Sequence, residues 1–176
     1  MKYSITLLLL AAALSSFAQP KDYPVPEKTK NNLFYIQRNH NKNTIIYDAN
    51  FDKNGNLIEN DPVDVYWLRY EEKGQRIELK VIEKKFAFGE KCERLKSNPD
   101  FFKLKLSATD KKELLLKQTA PFKAVVFTKI NDKMSILDHL YIFADNSGVW
   151  PDVKYIELFG KDIKTGKKTY EKMINP

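Results

Sequence analysis

The chain has 176 residues, 30 Lys and Arg against 23 Asp and Glu for a net charge of +7, and a single cysteine. That length suits one domain with enough chain to bury a core. One Cys excludes an internal disulfide, and a basicity that is nearly all Lys, with only Arg38, Arg69, Arg76 and Arg94 as arginines, argues against a surface that reads phosphates and bases.

The chain opens MKYSITLLLLAAALSSFAQP, which has the parts of an export signal: Lys2, an apolar run from Ile5 to Leu14, and the small-x-small triplet Ser16-Phe17-Ala18. Cleavage after Ala18 is expected. It removes residues 1–18, lowers the charge to +6, and leaves a periplasmic or extracellular protein. The apolar run is shorter than the about 20 residues that span a bilayer, so no transmembrane segment is expected in the mature chain. Residues 19–32 (QPKDYPVPEKTKNN) form a polar leader with three prolines, expected as an extended tether, disordered or lying on the surface.

Residues 33–176 are expected to form a single β domain. Ten short runs rich in Ile, Val, Tyr, Phe and Leu read as strands: Leu33–Arg38, Thr44–Phe51, Val63–Tyr70, Ile77–Phe88, Phe101–Ser107, Glu113–Thr119, Phe122–Ile130, Ser135–Asp145, Val153–Lys161 and Lys168–Met173. Ile45, Tyr47, Ala49 and Phe51 point one way, Ile46, Asp48 and Asn50 the other. Phe102, Leu104 and Leu106 oppose Lys103 and Lys105. A slip of parity around Val81–Phe86 predicts a β-bulge or bend, and Glu90–Ser97 a short helix ended by Asn98-Pro99. Phe122–Ile130 and Ser135–Asp145 are apolar on both faces and need a second covering layer. The fold class is therefore all-β: an antiparallel meander of about ten strands closing into a barrel-like or sandwich fold, with at most one short helix.

One loop needs a decision. NFDKNGNLIEND, Asn50 to Asp61, nearly fits a calcium-binding EF-hand loop, with Asn50, Asp52 and Asn54 alternating, Gly55 sixth and Asp61 twelfth. It lacks the flanking helices and the bidentate Glu, and Pro62 follows at once. Asn54-Gly55 is instead a strong hairpin signal. The loop is read as a turn, and neither metal nor other cofactor is expected.

No nucleophile elbow, phosphate loop or zinc spacing is present. Cys92 is expected to be buried and inert, and His40 to be exposed in its polar turn. His139 follows Asp138, but strict alternation would point them to opposite faces, so they are not expected to pair. Lys161, Lys164, Lys167, Lys168 and Lys172 read as a solvated, aggregation-resistant edge hairpin rather than a nucleic-acid stripe. The most suggestive stretch is Tyr66-Trp67-Leu68-Arg69-Tyr70. Val63, Val65 and Trp67 make the drier face, which leaves Tyr66 and Tyr70 beside the polar side of Thr44–Phe51. A polar–aromatic ligand patch of Asp48, Asn50, Tyr66 and Tyr70 is therefore expected.

YDANFDKNGNLIENDPVDVYWLRY, the FAFG run at Phe86–Gly89, and YIELFGKDIKTGKKTYEKM together resemble a secreted bacterial family, domain of unknown function 4833, over nearly the whole chain after the leader. The resemblance implies secretion and one compact domain. It carries no activity, cofactor or catalytic residue, and draws attention to Tyr47, Asp48, Asn50, Tyr66, Trp67, Tyr70, Glu157, Gly160, Asp162 and Gly166. The function expected is a non-catalytic module that binds a small or amphipathic ligand or a partner, without nucleic acid. The alternative is a hydrolase of envelope polymers working through paired carboxylates.

Overall fold

A computed structural model describes residues 23–107, 109–145, 147–148, 151–174 and 176. The expected export signal and the first residues of the expected leader lie outside them. The period-two runs become strands β1 (Asn32–Arg38), β2 (Asn41–Ala49), β3 (Val63–Arg69), β4 (Gln75–Glu78), β5 (Glu90–Arg94), β6 (Phe101–Leu106), β7 (Thr109–Ala120), β8 (Lys123–Ile130), β9 (Lys133–Asp145), β10 (Asp152–Asp162) and β11 (Lys168–Ile174). They form one strongly curled sheet, a half-barrel, in the order β4-β3-β2-β1-β9-β8-β7-β6-β5, with β10 on the other edge of β9 and β11 outside β10.

The sheet is all-β as expected, but it is mixed rather than a pure antiparallel meander. β1 lies parallel to β9, pairing Tyr35–Arg38 with His139–Ile142, while the other pairings are antiparallel. β9 is long enough to serve β8 with its first half and β1 with its second, and β10 along its opposite side. This crossover brings the first and last thirds of the domain together.

Two local expectations are corrected. The irregularity expected in the run Ile77–Phe88 is a bend rather than a bulge, and the run is not one strand. It leaves the sheet after β4 and turns through α1 (Val81–Glu83) into a single π-helical turn, Lys84–Phe88. Glu83 fixes this departure, because its carboxylate accepts the Lys80 amide at 2.7 Å and the Trp67 indole N–H at 3.4 Å. The turn closes against Gly89, where a Cβ would lie 2.1 Å from the Lys84 carbonyl oxygen. Glu90–Ser97 is not a helix but contains β5, which pairs with β6 through Cys92 opposite Leu104. Cross-strand burial of Cys92 outweighs the weak helical preference of the segment.

The inner face holds the core. Ile45, Tyr47, Val63, Val65 and Trp67 pack there with Leu104, Leu116, Val126, Leu137 and Leu158. The Phe34 and Tyr47 rings stack at 4.4 Å, and the Tyr47 hydroxyl donates to the Phe88 carbonyl at 2.7 Å. The half-barrel is thus filled by its own side chains. A cavity of 10 Å³ between Leu106, Leu114, Leu140 and Met173 is too small for an organic ligand.

Candidate functional site

The outer face is organised by one irregularity. In the β9–β10 ladder Phe159 is opposite His139 and Gly160 is opposite Leu137, so Asp138 has no partner and forms a β-bulge. Leu137 and Leu140 both enter the inner core, and Asp138 and His139 lie between them, where alternation has room for one outward residue. The bulge overturns the expectation that these two cannot meet: His139 Nδ1 is 2.7 Å from Asp138 Oδ2.

His139 is 5% exposed. Its ring is stacked between Tyr35 at 4.8 Å and Phe159 at 4.3 Å, both nearly parallel to it. This follows from register. Tyr66, Ile46, Tyr35, His139, Phe159 and Tyr170 are successive partners across β3, β2, β1, β9, β10 and β11, so they form one transverse row on the outer face. Asp138 is bound from its other side by the Lys28 ammonium. The hydrogen bond with His139, aided by Lys28 and opposed by burial, holds the Asp138 carboxyl down to about 2. His139 Nε2 is closed off from solvent and has no hydrogen-bond partner.

In front of this row opens a cleft of 550 Å³. Its walls are Tyr35, Phe159 and Tyr170 with Lys28, Lys161 and Lys168, and its floor includes Asp138, His139 and Gly160. The Tyr170 hydroxyl donates to Glu157 at 2.7 Å, and burial pushes it up to about 12. Gly160 lets β10 lie close to β9 at the bulge, since a Cβ there would lie 2.6 Å from the Ile136 carbonyl oxygen and 2.7 Å from Ile130 Cδ1.

The leader supplies a second layer over β9, β1 and β2. From Tyr23 to Asn31 it crosses the outer face. The Tyr23 ring meets Tyr141 edge-on at 5.5 Å, and the Pro24 carbonyl accepts the Gln37 amide at 2.9 Å. Pro26 is buried, and the Thr29 hydroxyl donates to Asp48 at 2.9 Å.

The four residues expected as a patch divide. Asp48 and Tyr66 meet: the Tyr66 hydroxyl donates to Asp48 Oδ2 at 2.9 Å, while Asn32 donates to Asp48 Oδ1 at 3.1 Å. Tyr66 is buried under the Arg76 guanidinium, 3.8 Å from its ring centre, and burial with the Asp48 charge raises its hydroxyl well above the ordinary value. Asn50 instead braces its loop, donating to the Asp61 carbonyl at 3.0 Å. Tyr70 stands six residues along from Asp64, the partner of Asp48, which is about 20 Å at strand rise. Tyr66 therefore belongs to the row that leads to His139, with Asp48 hydrogen-bonded to it, and Asn50 and Tyr70 do not. The sequence signal that was passed over is Leu-Asp-His-Leu at 137–140, two polar residues between two core leucines.

Cys92 packs against the core, and burial, with Glu90 and Asp61 nearby, pushes its thiol up to about 12, too high for a nucleophile at neutral pH. A second cleft, of 630 Å³, lies beside the π-helical turn and is lined by Asp61, Asp64, Glu90, Lys84, Lys85 and Phe86, among others. Burial, with the charge of Asp61, raises the Glu90 carboxyl, while Asp64 is paired with Arg76 at 2.9 Å.

No helix among the described residues is long and apolar enough to cross a membrane. No curated protein and no solved structure matches the chain. A family model does, over residues 34–172, from the third residue of β1 into β11, and so takes in the whole transverse row; the chain belongs to the family described as domain of unknown function (DUF4833).

Proposed function

We propose that the protein is an exported, non-catalytic module that binds a small ligand in the outer cleft over β9, β10 and β11. The observation that carries this reading is the buried His139 on the cleft floor, fixed by Asp138 and two stacked rings, with Nε2 unanswered. Leaving a buried polar atom unpaired is costly, and a ligand that displaces the covering side chains and donates to Nε2 would answer it. The volume of 550 Å³ falls among those of ordinary ligand sites. The filled half-barrel argues against a ligand in the interior, which is why the outer face is preferred. Export rests on the signal-like residues 1–18 and is tested by N-terminal sequencing of the mature protein: a start at Gln19 supports it, a start at Met1 refutes it.

Binding is tested by a fragment screen followed by thermal melting, using the native chain and Phe159→Ala. Fragments that stabilise the native protein should lose their effect in the variant. Stabilisation that persists in the variant, or no stabilising fragment at all, refutes the outer cleft as the site.

A second reading, the carboxylate-dependent hydrolase, is favoured by the Asp61–Glu90 cleft. A carboxyl raised by burial beside a second carboxyl is the arrangement of a general acid and its partner. Release of reducing ends from envelope polysaccharide, abolished by Glu90→Gln, would establish it; no release by the native protein would exclude it.

A further inference from the structure

The outer cleft has an unbalanced charge. Lys161 and Lys168 face each other directly in the β10–β11 ladder, and both line the cleft. Like charges placed directly opposite are destabilising. Among the described residues neither has an acidic partner, because every acidic side chain of the two strands is already engaged. Asp152 is paired with Lys154, and Glu157 accepts from Tyr170. Asp162 accepts the turn amide of Lys164 at 2.7 Å, and Glu171 holds Lys112 at 2.7 Å. The one carboxylate that lines the cleft, Asp138, is taken by Lys28 and His139. Two uncompensated ammonium groups thus stand over a floor walled by Tyr35, Phe159 and Tyr170, whose low-dielectric rings focus the field of those charges.

An edge strand is often protected by lysines, and that role needs no particular cross-strand partner. Here the two charges are aligned on one cleft, beside the aromatic wall of Tyr35, Phe159 and Tyr170. We infer, resting on the reading that this cleft holds a ligand, that the ligand is an organic anion. Its phosphate or carboxylate sits between Lys161 and Lys168, and its apolar or aromatic body lies against Phe159 and Tyr170.

The test is an NMR titration of the mature chain with phenyl phosphate, benzoate and the uncharged benzyl alcohol, following amides of β9 to β11. The anionic probes should shift resonances around His139 and Phe159, and the tighter of the two identifies phosphate or carboxylate as the recognised group. Lys161→Gln with Lys168→Gln should weaken that binding by about tenfold or more. Lys164→Gln with Lys167→Gln, in the adjoining turn but off the cleft lining, should leave it nearly unchanged. Equal weakening in both double variants would mean diffuse charge and overturn the inference. Benzyl alcohol binding as tightly as the anions would overturn it too, while leaving the cleft as a binding site. If none of the three probes shifts the cleft, the binding reading falls along with it.

Discussion

At the scale of single residues, Asp138 decides the most. As the unpaired residue of a bulge it reaches both His139 and Lys28, and its carboxyl is held at about 2 against an ordinary 3.8. A depressed carboxyl contributes stability that is present above its unfolded value and lost as pH falls through the folded one. Asp138→Asn should therefore melt below the native protein near neutral pH, with the gap narrowing as pH falls from about 4 to about 2. Melting curves across that range check this; a gap that stays constant down to the lowest pH would show that the ion pair adds nothing. Gly160 is the second decisive residue. A Cβ there meets the Ile136 backbone at 2.6 Å, which cannot swing away as a side chain can. Gly160→Ala should cost about 1–3 kcal/mol in urea unfolding, and a neutral result would mean that β10 moves freely off β9.

At the scale of elements, the Asn50–Asp61 loop shows how one composition serves two ends. Asp52 Oδ1 accepts the amides of Asn54 and Asn56, each at 2.8 Å, and those backbone bonds hold its carboxyl below the usual range. Gly55 sits at φ +81°, as a turn centre requires. The oxygens that would ligate an ion are holding backbone instead, so millimolar calcium should leave the melting temperature where chelator leaves it; a rise of many degrees would overturn the turn reading. Strand positions and faces were legible wherever alternation was strict, as in Ile45, Tyr47 and Ala49, or Phe102, Leu104 and Leu106. They failed where one backbone irregularity changed the parity. The Glu83 cap turned Val81–Phe88 out of the sheet, and pairing with β6 drew β5 into a strand. Neither is a property of a local window; both depend on partners distant in sequence or in space.

At the scale of the whole molecule, the outer row from Tyr66 to Tyr170 exists only because β1 lies parallel to β9 and a bulge brings His139 outward. Asp48 and Tyr66 could be read from sequence as a pair because they sit on adjacent hairpin strands. Tyr35 and His139 could not, since their parallel pairing joins strands far apart in the chain and alternation assigned Asp138 and His139 to opposite faces. The leader completes the layer by crossing this face and delivering Lys28 to Asp138. Bulge, row and leader therefore all meet at one imidazole, and its protonation pattern reports on them together. The direct measurement is a two-bond proton–nitrogen correlation spectrum of His139 at a pH where Asp138 is ionised. The carboxylate accepts and cannot donate, so Nδ1 should carry a proton, and Asp138→Asn should remove that preference. A spectrum with Nδ1 bare and the proton on Nε2 in the native protein would contradict the account, because Asp138 and His139 would then not be paired.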